Sequence, residues 1–84
     1  MNCYATITVI GRDKTGVVAK VTNLLFETKA NIEALEEQVT RGQFSMTIQA
    51  SWRVTVFNEK SLGQGLRALG RDLGMEIKWG FTDP

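Results

Sequence analysis

The residues best suited to chemistry lie in the hexapeptide GRDKTG, residues 11–16, between an apolar run and an amphipathic segment. If a helix begins after Gly16, the backbone N–H groups of Thr15, Gly16 and Val17 lie at its positive end, where a carboxylate binds well. Gly16 also lets a ligand approach the backbone closely. The carboxylate of Asp13 can accept a hydrogen bond from an ammonium group. This turn therefore has the groups needed to bind a small zwitterion.

Each residue of the turn also has a purely structural explanation. Asp13 or Thr15 can cap the helix by accepting a hydrogen bond from a backbone N–H group, and such a cap occupies the groups that a ligand carboxylate needs. Gly16 is equally explained by the turn itself, and Lys14 by contact with water alone. The sequence leaves both explanations open.

The chain lacks the residues that most enzymes use. It has no histidine, which removes the commonest general base and the commonest transition-metal ligand. Glu36 and Glu37 are adjacent, so on a strand their carboxylates point to opposite faces and cannot act as a pair. No residue pair resembles a nucleophile with its base. We therefore predict a protein that is not an enzyme and has no metal and no cofactor.

Charge and length narrow the class of protein further. The 84 residues carry ten Lys and Arg against nine Asp and Glu, without the basic excess typical of nucleic-acid binding. No apolar run approaches the roughly 18 to 20 residues of a membrane span, and the N-terminus lacks the features of a signal peptide. The single cysteine fits a reducing compartment. We expect one cytoplasmic domain over residues 1–84 that binds neither nucleic acid nor membrane.

Hydrophobic periodicity predicts the elements that position the turn. Apolar and polar residues alternate over residues 3–10, 44–52 and 75–81, which indicates strands. Apolar residues recur at helical spacing after Gly16 and again over residues 62–73. The apolar face predicted for the first helix comprises Val17, Val21, Leu24, Leu25 and Thr28.

Another strand follows Asn31, and its pattern is irregular. The alternation slips by one residue between Ile32 and Leu35, which is typical of a bulge or an irregular edge strand. The carboxylates along this segment suit an edge, where charge discourages open-ended pairing. Residues 40–43, TRGQ, predict a hairpin turn, whereas residues 53–57 fit either a strand extension or a loop.

Glycines mark the second helix. Gly74 stands where a C-terminal glycine is expected. Gly63, Gly65 and Gly70 lie inside this helix, where each glycine costs about 1 kcal/mol relative to alanine. Gly70 predicts close packing, while Gly63 and Gly65 predict a first turn that frays.

The order β-α-β-β-α-β predicts an α+β fold of the ferredoxin-like type, a four-stranded antiparallel sheet with both helices on one face. Cys3 and the aromatic residues Phe44, Trp52, Trp79 and Phe81 are predicted to lie in the core, on the helix-covered side. Aromatic residues in the core argue against the base stacking that RNA-binding members of this topology use. The opposite face is polar but uncharged and either stays in water or contacts another copy. It carries Tyr4, Thr6, Thr8, Ile10, Ser45, Thr47 and Gln49.

Residues 5–50 resemble the ACT domain family, small regulatory modules that bind amino acids in many metabolic enzymes and regulators. The matching features are the strand that ends in GRDKTG, the apolar helix after Gly16, and ANI at residues 30–32. The chain looks most like a stand-alone single-ACT-domain protein, and is similar to the ACT segments of glycine-cleavage regulators and formyltetrahydrofolate deformylases. Many members have proline where this chain has Thr15.

The resemblance implies a ligand at the junction of two ACT domains. The turn of one copy (Asp13, Lys14, Thr15, Gly16, Val17) would face Asn31 and Ile32 of another. The Asn31 amide would accept a hydrogen bond from the ammonium group, although a left-handed turn conformation explains this residue equally.

The predicted function is a non-catalytic regulatory module that binds a small amino acid or related metabolite at a homodimer interface and acts on an unknown protein target. Serine and glycine are the first ligands that the resemblance suggests. The alternative is a dimerising scaffold for protein interactions without a small-molecule ligand.

Overall fold

The computed structural model of the chain describes residues 2–12 and 15–82. These residues form the predicted order of elements, a four-stranded antiparallel sheet of order β2-β3-β1-β4 with two helices. The ferredoxin-like α+β fold is therefore confirmed, and β2 is an edge strand. The elements are β1 (Asn2–Gly11), α1 (Val17–Glu27), β2 (Asn31–Thr40), β3 (Gln43–Arg53), α2 (Glu59–Leu73) and β4 (Glu76–Thr82).

Both helices cover one face of the sheet. Alternate side chains of the central strands β1 and β3 point to that face, because successive residues of a strand point to opposite sides. The predicted face of α1 packs on them, while Cys3, near the start of β1, is half-buried rather than core. The most buried apolar side chains are Ala5, Ile7, Val9, Val17, Val21, Leu25, Phe44, Met46, Ile48, Ala50, Trp52, Leu62 and Leu66.

The aromatic residues of β4 are less buried than predicted. Phe44 and Trp52 are buried as expected, whereas Trp79 is half-buried and Phe81 is 44% exposed. Both belong to the edge strand opposite β2. Instead of entering the core, the Phe81 ring packs edge-on against Phe57, with ring centroids 5.5 Å apart.

Helix α2 begins before its glycines. Asn58 is the N-cap residue, and its side chain accepts a hydrogen bond at 3.0 Å from the backbone N–H of Ser61. Gly63 and Gly65 therefore lie inside the helix and not in its first turn, where the prediction placed them. A Cβ at Gly65 would lie 2.8 Å from Cδ1 of Leu24, so this glycine allows α1 and α2 to pack closely.

The C-terminal end of α2 matches the prediction. Gly74 has a φ of 65°, and the backbone N–H of Met75 donates to the carbonyl of Gly70 at 2.9 Å. A Cβ at Gly70 would lie 3.1 Å from the Met75 carbonyl oxygen, so close packing at this glycine is confirmed. Strand β4 then begins at Glu76, one residue later than predicted.

Turns complete the connections between strands and helices. Arg41 and Gly42 form the hairpin turn with φ values of 52° and 79°, the positive values that a two-residue hairpin requires. After Arg53 the chain turns, because the N–H groups of Val56 and Phe57 both donate to the Arg53 carbonyl, at 3.0 and 3.1 Å. The segment after β3 is therefore a loop rather than a strand extension.

The face of the sheet away from the helices carries the predicted neutral side chains. Most of them are half-buried by their neighbours, and Gln49 is exposed. No helix within residues 2–12 and 15–82 has the length and apolar character needed to cross a membrane. In the same residues, no group of three or more His, Cys, Asp or Glu side chains is placed to hold a metal ion.

Candidate ligand-binding site

The predicted binding turn connects β1 to α1. Gly16 occupies the N-cap position with a φ of 72°, in the left-handed region that favours glycine. A Cβ at this position would meet no atom of the described residues within 4 Å, so these residues leave the space beside the Gly16 backbone open. Asp13 and Lys14 lie outside the described residues.

The start of α1 differs in one respect from the prediction. The N-cap residue is Gly16, so Thr15 precedes the cap and is not itself the N-cap. The reason is the left-handed conformation of Gly16, which delays the first helical residue to Val17. The first turn of α1 carries no acidic side chain. The positive end of the helix dipole therefore favours an anion supplied from outside the helix.

Gly16→Ala and Gly74→Ala form a matched pair of variants. Both glycines have positive φ, and among the residues that the structure describes a Cβ at either meets no atom within 4 Å. We expect each variant to lower the free energy of unfolding by about 1 to 2 kcal/mol, because alanine disfavours this backbone region. Urea denaturation measures both values. Unchanged stability in either variant would contradict the left-handed conformation, and a ligand response lost only at Gly16 would assign it a role beyond the turn.

Asn31 lies at the opposite end of the sheet from the turn. It pairs with Ser51, which pairs with Tyr4 near the start of β1, whereas the turn follows Gly11 at the end of that strand. Helix α1 has 11 residues and spans about 16 Å between the two regions. A small amino acid carries its ammonium and carboxylate groups on a single carbon atom. One ligand cannot contact both regions of the same chain.

The structural explanation for Asn31 does not hold. The residue with a left-handed conformation between α1 and β2 is Lys29, with a φ of 72°, and Asn31 is the first residue of the strand. Asn31 lines a surface cavity of about 480 Å³ at the start of β2. Groups of both charges lie around this cavity, whose lining residues are Asn2, Lys29, Asn31, Glu33, Ser51, Trp52, Arg53 and Val56.

Glu33 is a residue of this cavity that sequence reasoning missed. The register of β2 on β3 slips between Ile32 and Ala34, which makes Glu33 the extra residue of a β-bulge. The Oγ atom of Ser51 donates a hydrogen bond to Oε1 of Glu33 at 2.8 Å. The slip was visible in the sequence, but the hydrogen bond joins residues on two strands and has no local signal.

A second cavity lies at the other end of β2. It has a volume of about 360 Å³ and is lined by Gly11, Arg12, Arg41, Gly42 and Gln43. The hairpin turn that follows β2 therefore lies beside Arg12, the second residue of the GRDKTG segment.

Strand β2 is exposed along its entire length. All ten of its residues are exposed, and among them Ile32, Leu35 and Val39 are 37% to 52% exposed. These three side chains point to the helix-covered side, because they pair with residues of β3 that are in the core. On α1, Phe26 is 78% exposed and lies about 200° around the helix from Leu24, on the side away from α2. A long exposed edge with apolar side chains favours pairing with another strand.

Comparison with known proteins identifies the family. A family model for the ACT domain matches residues 4–80 of this chain. The chain belongs to the ACT domain family. A UPF0237 protein from Methanosarcina mazei is 33% identical over 72 residues, which cover 86% of this chain and 78% of that protein.

Solved structures agree with this assignment. An ACT domain protein from Streptococcus pneumoniae has a TM-score of 0.82 and 28% identity, over 94% of this chain and 89% of that one. A candidate glycine cleavage system transcriptional repressor (TM-score 0.88, 19% identity) matches all of this chain with 48% of its own length. A formyltetrahydrofolate deformylase from Pseudomonas putida KT2440 (TM-score 0.80, 23% identity) matches 96% of this chain with 29% of its length. The last two share the fold, which confirms the resemblance to segments of both protein types, and the family supports a regulatory module.

Proposed function

We propose that this chain is a single ACT domain that acts as a non-catalytic regulatory module and binds a small amino acid, or a related metabolite, between two copies of itself. One observation carries the proposal. The binding turn and Asn31 lie at opposite ends of one sheet, and the exposed strand β2 extends from one end to the other. Membership of the ACT family supports the regulatory role.

Two-fold pairing along β2 would bring the two regions together. In a symmetric antiparallel pair, full overlap of the ten-residue strand places Asn31 of one copy opposite Thr40 of the other. Thr40 immediately precedes Arg41, which lines the same cavity as Gly11 and Arg12. The start of β2 in one copy would then lie beside the start of the binding turn in its partner.

The groups at this junction fit a zwitterion. The N-terminal end of α1, including the backbone of Thr15, Gly16 and Val17, favours a carboxylate, and the open space at Gly16 admits it. From the other copy, the amide oxygen of Asn31 accepts a hydrogen bond from the ammonium group. Ile32, the next residue of β2, adds an exposed apolar side chain on the helix-covered side of the same edge.

A thermal-shift screen of the twenty amino acids at millimolar concentration tests the proposal. A ligand that binds only the folded form adds RT ln(1 + [L]/Kd) to stability, about 2.7 kcal/mol at a hundredfold excess over Kd. For a domain of this size each 1 kcal/mol raises Tm by about 4 to 8 °C. We expect one or two amino acids, glycine and serine first, to raise Tm saturably.

Variants locate the response. Asp13→Ala and Asn31→Ala are expected to remove the Tm shift, because each loses an acceptor for the ligand ammonium group. Asn23→Ala is the matched control, since this asparagine is exposed on α1 outside the proposed site. A shift that survives in both site variants would contradict this location.

The apolar side chains along α1 and β2 favour a second candidate function. An interaction scaffold would use Phe26 and the exposed residues of β2 to hold a second copy or an unidentified target protein, with no small ligand. A screen without any Tm shift, from a wild type that is folded and dimeric, would contradict the sensor and favour the scaffold.

A further inference from the structure

We propose that Glu33 binds the ammonium group of the ligand and makes the site selective for α-amino acids over the corresponding hydroxy acids. The inference deepens the proposed function and rests on it. Its basis is the bulge in β2, the hydrogen bond from Ser51, and the charges around the cavity that Glu33 shares with Asn31.

The bulge and Ser51 fix the position of the Glu33 carboxylate. A bulge adds one residue to a strand and redirects the side chains next to it. Ser51 is 2% exposed, and its hydroxyl donates to Oε1 of Glu33 at 2.8 Å. A glutamate on the surface normally samples many rotamers, whereas the hydrogen bond from the buried Ser51 hydroxyl orients this one. A carboxylate that is already oriented loses less conformational freedom when it binds a ligand.

Glu33 keeps hydrogen-bonding capacity beyond the bond from Ser51. A carboxylate accepts at about four lone-pair sites, and Ser51 occupies one of them. Within residues 2–12 and 15–82, the only ion pair joins Lys78 to Glu76, so no described cation neutralises Glu33. Lys29 and Arg53 line the same cavity, but neither forms an ion pair with Glu33.

Pairing along β2 would make an unpaired Glu33 carboxylate unfavourable, so that a cation beside it would be stabilising. In a single copy Glu33 is exposed, and water solvates its charge. When a second strand covers the edge, water is displaced, and a carboxylate without a partner becomes costly. A ligand ammonium group restores the lost interactions with a charge-assisted hydrogen bond.

The two cations in the cavity restrict the ligand further. Lys29 and Arg53 line it together with Glu33, so a ligand with a second positive charge is repelled. The chemical class that fits is an α-amino acid with a neutral or acidic side chain.

A structural role for Glu33 makes a different prediction. If the carboxylate only stabilises the bulge, Glu33→Gln keeps an oxygen that accepts the Ser51 hydrogen bond and leaves ligand binding unchanged. If it binds ammonium, Glu33→Gln weakens binding by about tenfold or more, since a charge-assisted bond becomes a neutral one. Glu59→Gln, which changes an exposed carboxylate on α2 away from β2 and this cavity, is the control with unchanged binding.

Calorimetric titration with glycine, L-serine, glycolate and L-glycerate is the test. We expect wild type to bind glycine or L-serine and to show no binding of the hydroxy acids, which carry a hydroxyl in place of the ammonium group. Ser51→Ala retains the charge but releases the carboxylate, so we expect a smaller loss of affinity than in Glu33→Gln.

The outcomes separate the two proposals. Equal affinity of wild type and Glu33→Gln for glycine or L-serine would overturn the role of Glu33 and leave the proposed function standing. Binding of glycolate as tight as that of glycine would do the same without any variant, even if Glu33→Gln does not fold. If folded wild type binds neither glycine nor L-serine, the role of Glu33 is overturned, and so is the proposal that these two amino acids are ligands.

Discussion

Replacing Trp52 with alanine is expected to lower the free energy of unfolding by about 3 to 5 kcal/mol. The indole is among the largest fully buried side chains of the described chain, so its removal leaves a large cavity in the core. The free energy of unfolding of a single domain is about 5 to 15 kcal/mol, so this loss is a large fraction of the total stability. Urea denaturation followed by circular dichroism measures it.

The indole of Trp52 also ties β3 to the end of α1. Its ring lies 5.1 Å from that of Phe57, and Nε1 donates to Oγ1 of Thr28 at 2.9 Å. Thr28 in turn donates to the Leu25 carbonyl at 2.6 Å, so the bond fixes the segment that leads into β2.

Trp52→Phe separates packing from the hydrogen bond. We expect it to cost less than half as much as Trp52→Ala, because a phenylalanine ring fills much of the site and only one hydrogen bond of about 1 kcal/mol is lost. Combining it with Thr28→Val completes a double-mutant cycle for this pair. A cost below about 1 kcal/mol for Trp52→Ala would contradict the burial of the ring.

The order of the elements was predictable because period alone distinguishes strands from helices. Alternation over residues 44–52 gave β3 and its buried face directly. The same alternation placed Trp79 and Phe81 on the helix-covered side, which is correct, but it predicted burial that β4 does not provide. The alternation of apolar and polar residues indicates to which face of the sheet a side chain points. Whether that side chain is buried depends on how far the helices extend over an edge strand.

Less of the candidate site was predictable, because its geometry depends on contacts between distant residues. The slip between Ile32 and Leu35 predicted the bulge, but Ser51 lies 18 residues beyond Glu33 and meets it only through the register of β2 on β3. The helix cap was assigned to Asp13 or Thr15 because both are good capping types. The left-handed backbone of Gly16 places the cap one residue after Thr15.

The second large effect is expected from the double substitution Leu35→Lys with Val39→Lys. Both side chains are exposed on the edge strand, so we expect each chain to fold as before. Positive charges along an edge oppose strand pairing, and two symmetric copies bring four of them together. We expect a dimer of wild type and a monomer of the variant by sedimentation at the same micromolar concentration.

Val54→Lys with Thr55→Lys is the charge-matched control for this variant. These two residues are exposed in the loop after β3 and line neither of the cavities at the two ends of β2. The control adds the same positive charge to the surface, so we expect it to remain dimeric. A dimer that survives in the β2 variant would exclude this edge and favour the neutral face of the sheet that carries Thr6, Thr8 and Thr47.

Loss of the dimer is expected to remove ligand binding as well, although neither Leu35 nor Val39 belongs to the proposed site. The binding turn and Asn31 meet only across two copies, so a monomer retains two separated half-sites. The linkage also runs in reverse, because a ligand bound between copies must tighten the dimer by the same free energy. A monomeric variant with the full Tm shift would show that one chain holds the complete site, and would contradict the two-copy arrangement.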